Sequence, residues 1–217
     1  MTQFDVLEDE GMRLLKITIG DETVRAEAGA LSYMRGTIDV DVPLPSFGRA
    51  IRNILSDEPI IRPRYTGTGE IYLTPSLGGY HVLDVEKDAW ILEDGAYWAS
   101  DGGVELGLHR EPVITSFWAG EGFIDFQTQV SGSGRVVLNT TGPVEEIELR
   151  GERIAAEGKQ IIARTAGLSY AIRRPTRSLI GYYLSGENLV RTYAGFGKVL
   201  RTKAPYLNQR LLSALER

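Results

Sequence analysis

The side chains of this chain that could bind a ligand are mainly basic residues, carboxylates and closely spaced glycines. Six arginines fall in three segments that we interpret as connectors between strands, and guanidinium groups bind phosphates through paired hydrogen bonds. If the connectors emerge at one end of the protein, they form a basic rim suited to lipid phosphates or another anion. These residues are Arg49, Arg52, Arg110, Arg173, Arg174 and Arg177.

The same arginines have an alternative interpretation as ordinary surface charges. Asp57 and Glu111 lie close to them in sequence, and exposed ion pairs contribute little to stability. A short helix is predicted from Ser46 to Leu55 in the first connector, with Phe47 and Ile51 at helical spacing. These two side chains would either add contact at a membrane interface or pack against the core or a second copy.

Three glutamates precede apolar residues at nearly constant spacing, at Glu58, Glu121 and Glu187. If they face a common axis, three converging carboxylates could bind a cation or share a proton. The interpretation that we favour is local, with each carboxylate accepting hydrogen bonds from nearby backbone amides.

Three Gly-x-Gly triplets resemble phosphate-binding loops. A dinucleotide fingerprint needs three glycines between a strand and a helix, whereas these triplets lead into strands. We therefore interpret them as structural turns that need positive φ and a close approach of two backbones. The glycines are Gly67, Gly69, Gly132, Gly134, Gly195 and Gly197.

The chain is poor in the side chains that perform catalysis. It has no cysteine and only two histidines, so thiolate chemistry, zinc–thiolate sites and a histidine-rich metal centre are excluded. The histidines, His81 and His109, lie far apart in sequence, and no serine occurs in a nucleophile elbow or triad context. We expect a protein that is not an enzyme and that holds no cofactor or metal.

Composition narrows the class of protein further. The 217 residues carry a formal net charge of −5, which disfavours nucleic-acid binding because such proteins need a basic surface. The sequence shows neither the pattern of a signal peptide nor an apolar run of transmembrane length. We expect a cytoplasmic protein that contacts the membrane only peripherally.

The elements that position these residues repeat with a period of about 65 residues. The glycine triplets are 65 and 63 residues apart, and alternating strands at Ile17–Ile19, Leu83–Val85 and Ile147–Leu149 follow the same period. An acidic stretch and a glycine follow each of these strands. The predicted units are repeats at 4–65, 66–131 and 132–194, a partial closing copy at 195–203 and a C-terminal helix at 206–215.

One such sheet unit cannot bury its apolar face alone. The pattern therefore predicts an all-β single domain over 1–217, with three tandem β-meander repeats around a pseudo-threefold axis. This arrangement is a short double-stranded β-helix-like body with a short C-terminal helix, and the closing copy lies near the N-terminal strand.

Several segments resemble the altered inheritance of mitochondria family, a domain of unknown function in bacteria. They are the segments 26–34 and 91–100, the Gly-Glu steps at Glu121 and Glu187, and the closing stretch 195–199. The resemblance implies a fold similar to the trp RNA-binding attenuation protein. It also implies association with membrane organisation, which is described for mitochondrial members.

These observations lead to one principal hypothesis and one alternative. The principal hypothesis is a non-catalytic scaffold or binding protein, a homo-oligomer through apolar connector surfaces, that contacts an anionic lipid surface by its basic rim. The alternative is a small-molecule binding protein with its ligand at the pseudo-threefold axis. RNA binding, suggested only by the attenuation protein, is the weakest option for an acidic chain.

Overall fold

A computed structural model describes residues 2–43, 62–110, 126–157, 159–173 and 190–204. Over these residues the chain is all-β, with two antiparallel sheets and no helix, as the sequence predicts. The expected helices at 46–55 and 206–215 lie outside the described residues. The strands are β1 (Gln3–Asp9), β2 (Met12–Ala26), β3 (Leu31–Asp41), β4 (Arg64–Ser76), β5 (Tyr80–Val85), β6 (Trp90–Leu92), β7 (Tyr97–Asp101), β8 (Val104–Arg110), β9 (Phe126–Gly132), β10 (Gly134–Asn139), β11 (Val144–Glu157), β12 (Ile161–Thr165), β13 (Ser169–Arg173) and β14 (Val190–Thr202).

The chain divides into two compact units, the first of which comprises Met1–Glu86, Tyr97–Glu105 and Gly132–Asn139. Its sheet has the order β3-β4-β2-β7-β10-β5, and β1 pairs with β2. Inward-facing residues of β2 and β4 build most of the core of this unit, because alternate residues of a strand point to the same face. The fully buried members include Leu15, Ile17, Val24, Ile71 and Leu73.

Strand β2 keeps its apolar side chains inward by changing phase at a bulge. Leu15, Ile17 and Ile19 are buried at odd positions, whereas Val24 and Ala26 are buried at even positions. The pairing with β4 shifts register between Gly20 and Glu22, so one extra residue moves the alternation by one place. The backbone N–H of Gly20 donates to the Glu22 carboxylate at 2.9 Å, which ties the bulge together.

The second unit comprises Lys87–Ala96, Leu106–Ser131 and Thr140–Arg217. Its sheet has the order β11-β14-β12-β6-β9-β8, and β13 pairs with β14. A bulge in β11 matches the one in β2: the register with β14 shifts between Arg150 and Arg153, and the N–H of Arg150 donates to Glu152 at 2.9 Å. The core cluster is formed by Leu149, Ala156, Ile161, Leu168, Tyr193 and Val199.

The second glycine of each triplet has an apolar partner on the neighbouring strand. Gly69 opposes Ile19, Gly134 opposes Val85 and Gly197 opposes Leu149. One cross-strand register therefore occurs at three places along the chain.

A β-bulge also occurs three times, at the other end of the same strands. In each case one strand advances by two residues while its partner advances by one, so one strand carries an extra residue. The register shifts from Leu31–Leu73 to Tyr33–Tyr72, from Tyr97–Leu138 to Ala99–Val137, and from Ile161–Arg201 to Ala163–Leu200.

The triplet glycines lie within or between these strands, and all six have positive φ, from 87° to 157°. At Gly67 a Cβ atom would lie 2.2 Å from the backbone oxygen of Thr37, and at Gly36 it would lie 2.4 Å from the backbone oxygen of Thr68. Because the opposing atoms belong to the backbone, no rotamer change relieves these clashes. The glycines allow β3 and β4 to approach closely where the strands bend.

Candidate functional site

Of the six arginines predicted to form a basic rim, the structure describes the two that end strands. Arg110 is the last residue of β8 and is exposed, and Arg173 is the last residue of β13, opposite Val190 of β14. Arg49, Arg52, Arg174 and Arg177 lie outside the described residues. The basic rim stays a prediction, with two of its members at the points where connectors begin.

Each connector joins two strands that are neighbours in a sheet. The first connector leaves β3 at Asp41 and returns at Arg64 of β4, and these two residues are paired in register. The second leaves β8 and returns to its neighbour β9, and the third leaves β13 and returns to β14. Each of the three connectors therefore begins and ends at strands that are neighbours in one sheet.

The carboxylates predicted at an axis, Glu58, Glu121 and Glu187, lie outside the described residues. Two other carboxylates, Glu27 and Glu93, form ion pairs in the described part of the chain, and each lies in an acidic stretch that the sequence places after a strand. Both bind a residue that lies just beyond a connector. The Glu27 carboxylate pairs with the Arg62 guanidinium at 3.0 Å, and Glu93 pairs with Arg191 at 2.6 Å.

Glu93 is the centre of a buried polar cluster in the second unit. Glu93 is 9% exposed and Arg191 is 8% exposed, so both charges are removed from water and depend on each other. The Gln127 amide donates to the same carboxylate at 3.4 Å, and Lys159 lies 3.8 Å away. Burial lowers the pKa of Arg191, but the attraction to Glu93 together with the effects of Tyr170 and Tyr193 outweighs burial, and the pKa is raised overall.

A second arginine, Arg164, extends this cluster. Its guanidinium lies over the Tyr170 ring at 5.0 Å and donates to the Leu168 carbonyl at 3.4 Å. Burial lowers the pKa of the Arg164 guanidinium and also lowers the pKa of His109, on which the Arg164 charge acts in the same direction. His109 is therefore biased towards its neutral form, which suits a partly buried position beside a cation.

The Glu93 cluster has no room for a ligand beyond water. Glu93, Gln127, Arg164 and Tyr193 line a cavity of about 10 Å³, which is the space of a single water molecule. The geometry assigns the cluster a positioning role, because Gln127 and Arg191 follow the second and third connectors and Glu93 binds both. Arg62 has the same place after the first connector, where it pairs with Glu27 and lies over the Tyr97 ring at 5.0 Å.

This cluster was not predicted from the sequence, although the sequence contains a signal for it. Glu93 follows three consecutive buried residues, from Trp90 to Leu92. A carboxylate directly after a fully apolar strand indicates a buried and paired charge, because such residues are rarely buried alone. The identity of its partner could not be found in this way, since Arg191 is 98 residues away.

Within the described ranges, no three His, Asp or Glu side chains are grouped so that they could hold a metal ion. His81 lies on β5 opposite Leu138, and His109 lies on β8. The described residues also include no helix long and apolar enough to cross a membrane.

Comparison with known proteins identifies a family and two similar chains. A family model described as "Mitochondrial biogenesis AIM24" matches residues 4–202. The uncharacterized protein M6_Spy0233 of Streptococcus pyogenes serotype M6 is 24% identical over 190 residues, which are 82% of this chain and 75% of the relative. The crystal structure of protein SPYM3_0169 from Streptococcus pyogenes matches with a TM-score of 0.75 and 20% identity, covering 100% of this chain and 99% of that one. At this identity the match shows a shared fold.

Proposed function

The chain belongs to the mitochondrial biogenesis AIM24 family, and from this premise we propose that it is a non-catalytic scaffold or binding protein. Its three arginine-bearing connectors would contact an anionic membrane surface. The observation that carries the proposal is the shared architecture of the connectors. Each joins two strands that are neighbours in a sheet, and the partly buried Glu27 and the buried Glu93 make polar contacts with residues that follow the connectors.

The proposal includes three structural repeats around a pseudo-threefold axis, at 4–65, 66–131 and 132–194, with a closing segment at 195–203. Two features support it: the glycine register and the bulge register each occur three times at the predicted period. The repeat matters for function because equivalent strand pairs would present their connectors in equivalent ways.

Arginine chemistry supports phosphate as the target of the connectors. The guanidinium group donates several hydrogen bonds in one plane and stays charged at all physiological pH values. Each basic side chain near an anionic bilayer contributes about 1 kcal/mol of attraction, which decreases with salt. Arg110 is exposed, and Leu108, on the same strand, is 38% exposed, so a charged and an apolar contact are available together.

Vesicle flotation tests the membrane contact. The full chain should float with vesicles containing phosphatidylserine at low salt, should sink with purely zwitterionic vesicles, and should be released by added salt. Replacing the six connector arginines by glutamine should abolish flotation. A control variant that removes six cations outside the connectors should float like the original protein. The control positions are Arg35, Lys87, Arg150, Arg153, Lys198 and Lys203.

Two outcomes would overturn this function. One is the absence of flotation at low salt, and the other is an equal loss in both variants, which would indicate a response to net charge alone. Native mass spectrometry of the purified protein separates the proposal from a ligand at the pseudo-threefold axis. A retained phospholipid supports membrane contact, whereas a retained metabolite supports the small-molecule alternative.

We also propose that the protein is a homo-oligomer through apolar connector surfaces. Light scattering coupled to size-exclusion chromatography should then give a mass that is a multiple of 24.0 kDa. A mass of one chain at every concentration tested would contradict self-association and would leave the membrane proposal unaffected.

A further inference from the structure

The first unit contains an open polar groove of about 480 Å³. Its walls come from the bulge of β2, the start of β4, the N-terminus and the glycine turn between β7 and β8. Its lining includes Glu22, Thr23, Arg25, Arg64, Asp101 and Gly102.

Two arginines face each other in this groove. Arg25 of β2 and Arg64 of β4 are directly opposite in the antiparallel register, so their side chains leave the same face of the sheet. Like charges in this position destabilise a sheet, because the Cβ atoms of such a pair are only about 5 Å apart. Some compensating negative charge is therefore expected between them.

Among the described residues, no carboxylate forms an ion pair with the guanidinium group of Arg25 or Arg64. Arg25 donates to the backbone carbonyl of Val104, which is a neutral acceptor. Asp41 opposes Arg64 on the other side of β4, yet the two groups form no salt bridge. Arg64 is exposed and lines the groove beside Arg25.

The carboxylates of the groove already have partners of their own. Asp101 accepts from the backbone N–H of Arg135 at 2.8 Å and from its Nε at 3.2 Å. Glu22 accepts from the N–H of Gly20 at 2.9 Å, and this hydrogen bond lowers the pKa of the Glu22 carboxyl. Both carboxylates are therefore committed to local structure.

The opposed arginines are also specific to this place in the fold. The equivalent cross-strand pair is Ile91–Gln129 in β6 and β9, and Ala155–Thr192 in β11 and β14. If the three cross-strand pairs had the same structural role, there would be no need for two cations in only one of them. The charge pair is thus an addition to the sheet framework, and it lies in a groove open to solvent.

The turn at Gly102 and Gly103 lines the groove with backbone atoms alone, because glycine has no side chain. A Cβ atom at Gly102 would lie 2.7 Å from the backbone oxygen of Thr23, so a larger residue cannot occupy this position without displacing β2. Thr23 itself forms a hydroxyl pair with Thr66 at 2.8 Å. A small ligand in the groove would meet backbone, hydroxyl groups and two guanidinium groups.

We propose that this groove binds a small oxyanion, a phosphate or carboxylate group, between the guanidinium groups of Arg25 and Arg64. Oxyanions match guanidinium geometry through charge-assisted hydrogen bonds. The bound anion would replace the repulsion between the two cations by attraction to both. This site is independent of the connector arginines, so it does not rest on membrane binding.

Titration followed by ¹H–¹⁵N NMR tests the site, with inorganic phosphate and then acetate as probes at constant ionic strength. Saturable shifts should occur at the amides of Thr23, Arg25, Gly102 and Gly103. Arg64→Gln should weaken phosphate binding by about tenfold, which corresponds to the loss of about one charged hydrogen bond. Arg153→Gln, an exposed arginine on β11 opposite Ala194, is the matched control and should bind as the original protein does.

A charge reversal provides an independent readout. Arg64→Glu places a carboxylate opposite Arg25, so it should raise the melting temperature without phosphate and remove any further rise on adding it. Flotation of Arg64→Gln then identifies the source of the anion: weaker flotation indicates a lipid phosphate, and unchanged flotation indicates a free anion. The proposal is overturned if phosphate and acetate both leave the groove amides unshifted, or if Arg64→Gln binds phosphate as well as the Arg153 control.

Discussion

The buried pair between Glu93 and Arg191 allows a quantitative test of how the second unit is held together. Replacing Glu93 by leucine leaves the Arg191 guanidinium in a site where both side chains are about nine-tenths buried and 2.6 Å apart. Breaking a buried pair by removing one partner costs about 3–5 kcal/mol, because the remaining charge stays desolvated. We expect Glu93→Leu to lower the free energy of unfolding by about this amount.

The double variant Glu93→Leu with Arg191→Met separates charge from packing. With both charges removed, the loss should shrink to about 1–3 kcal/mol, the cost of leaving the Gln127 amide without its acceptor. The coupling between the two sites is then the difference between the double change and the sum of the single changes.

Urea unfolding followed by tryptophan fluorescence is a suitable assay, because Trp90 is buried in β6 of the same unit. The midpoint should move to lower urea with the slope unchanged. Glu148→Gln is the control: Glu148 pairs with Arg150 at 2.7 Å, but both side chains are at least half exposed, so no measurable change is expected. The reasoning fails if Glu93→Leu is as stable as the original protein, or if the double variant is no more stable than the single one.

Three further outcomes follow from the described contacts. Gly67→Ala should lower the free energy of unfolding by about 2 kcal/mol or more, since φ is 135° and the new Cβ would lie 2.2 Å from the Thr37 backbone oxygen. Gly20→Ala is the control in the same urea assay and should be well tolerated, because the space around Gly20 is open. Equal losses in the two variants would refute the packing argument. The His109 imidazole should titrate in NMR below its usual pKa of 6.5, because burial lowers that pKa. Its contribution to stability should therefore be complete above about pH 6.5 and decrease on acidification. A titration midpoint above 6.5 would be inconsistent with burial. The Lys16 ammonium, 2.9 Å from Glu70, lowers the pKa of that carboxyl below its usual 4.5, so the contribution of Glu70 to stability should be complete above about pH 4.5 and decrease as the pH falls further. Glu70→Gln should reduce this acid sensitivity, and an unchanged pH profile would exclude a role for the pair.

Much of the strand architecture could be predicted from local patterns. Alternating segments such as Ile17–Ile19 and Leu83–Val85 lie in strands, because the period of two is a property of each segment alone. The family resemblance and the all-β class followed from the order of such segments. The bulge in β2 was less visible, since the odd-to-even change between Ile19 and Val24 becomes meaningful only when the partner strand is known.

The candidate sites depended on the tertiary structure to a much greater extent. Local sequence indicated that Glu93 is unusual, but only the sheet shows that it meets Gln127 and Arg191. Likewise, Arg25 and Arg64 are separated by 38 intervening residues, and nothing in either segment marks them as partners. Cross-strand neighbours are decided by which strands pair and in what register, which is a property of the whole sheet.

The arginines and glycines divide in the same way into features that are local and features that depend on the sheet. The sequence by itself determined that arginines concentrate in connectors and that glycine triplets recur every 63 to 65 residues, because composition and spacing are local facts. Only the tertiary structure showed that each connector joins two neighbouring strands, that Glu27 and Glu93 pair with arginines where the chain returns, and that two arginines oppose each other in a groove. Long-range charge partners are chosen by burial and register, and neither can be deduced from a single segment of chain.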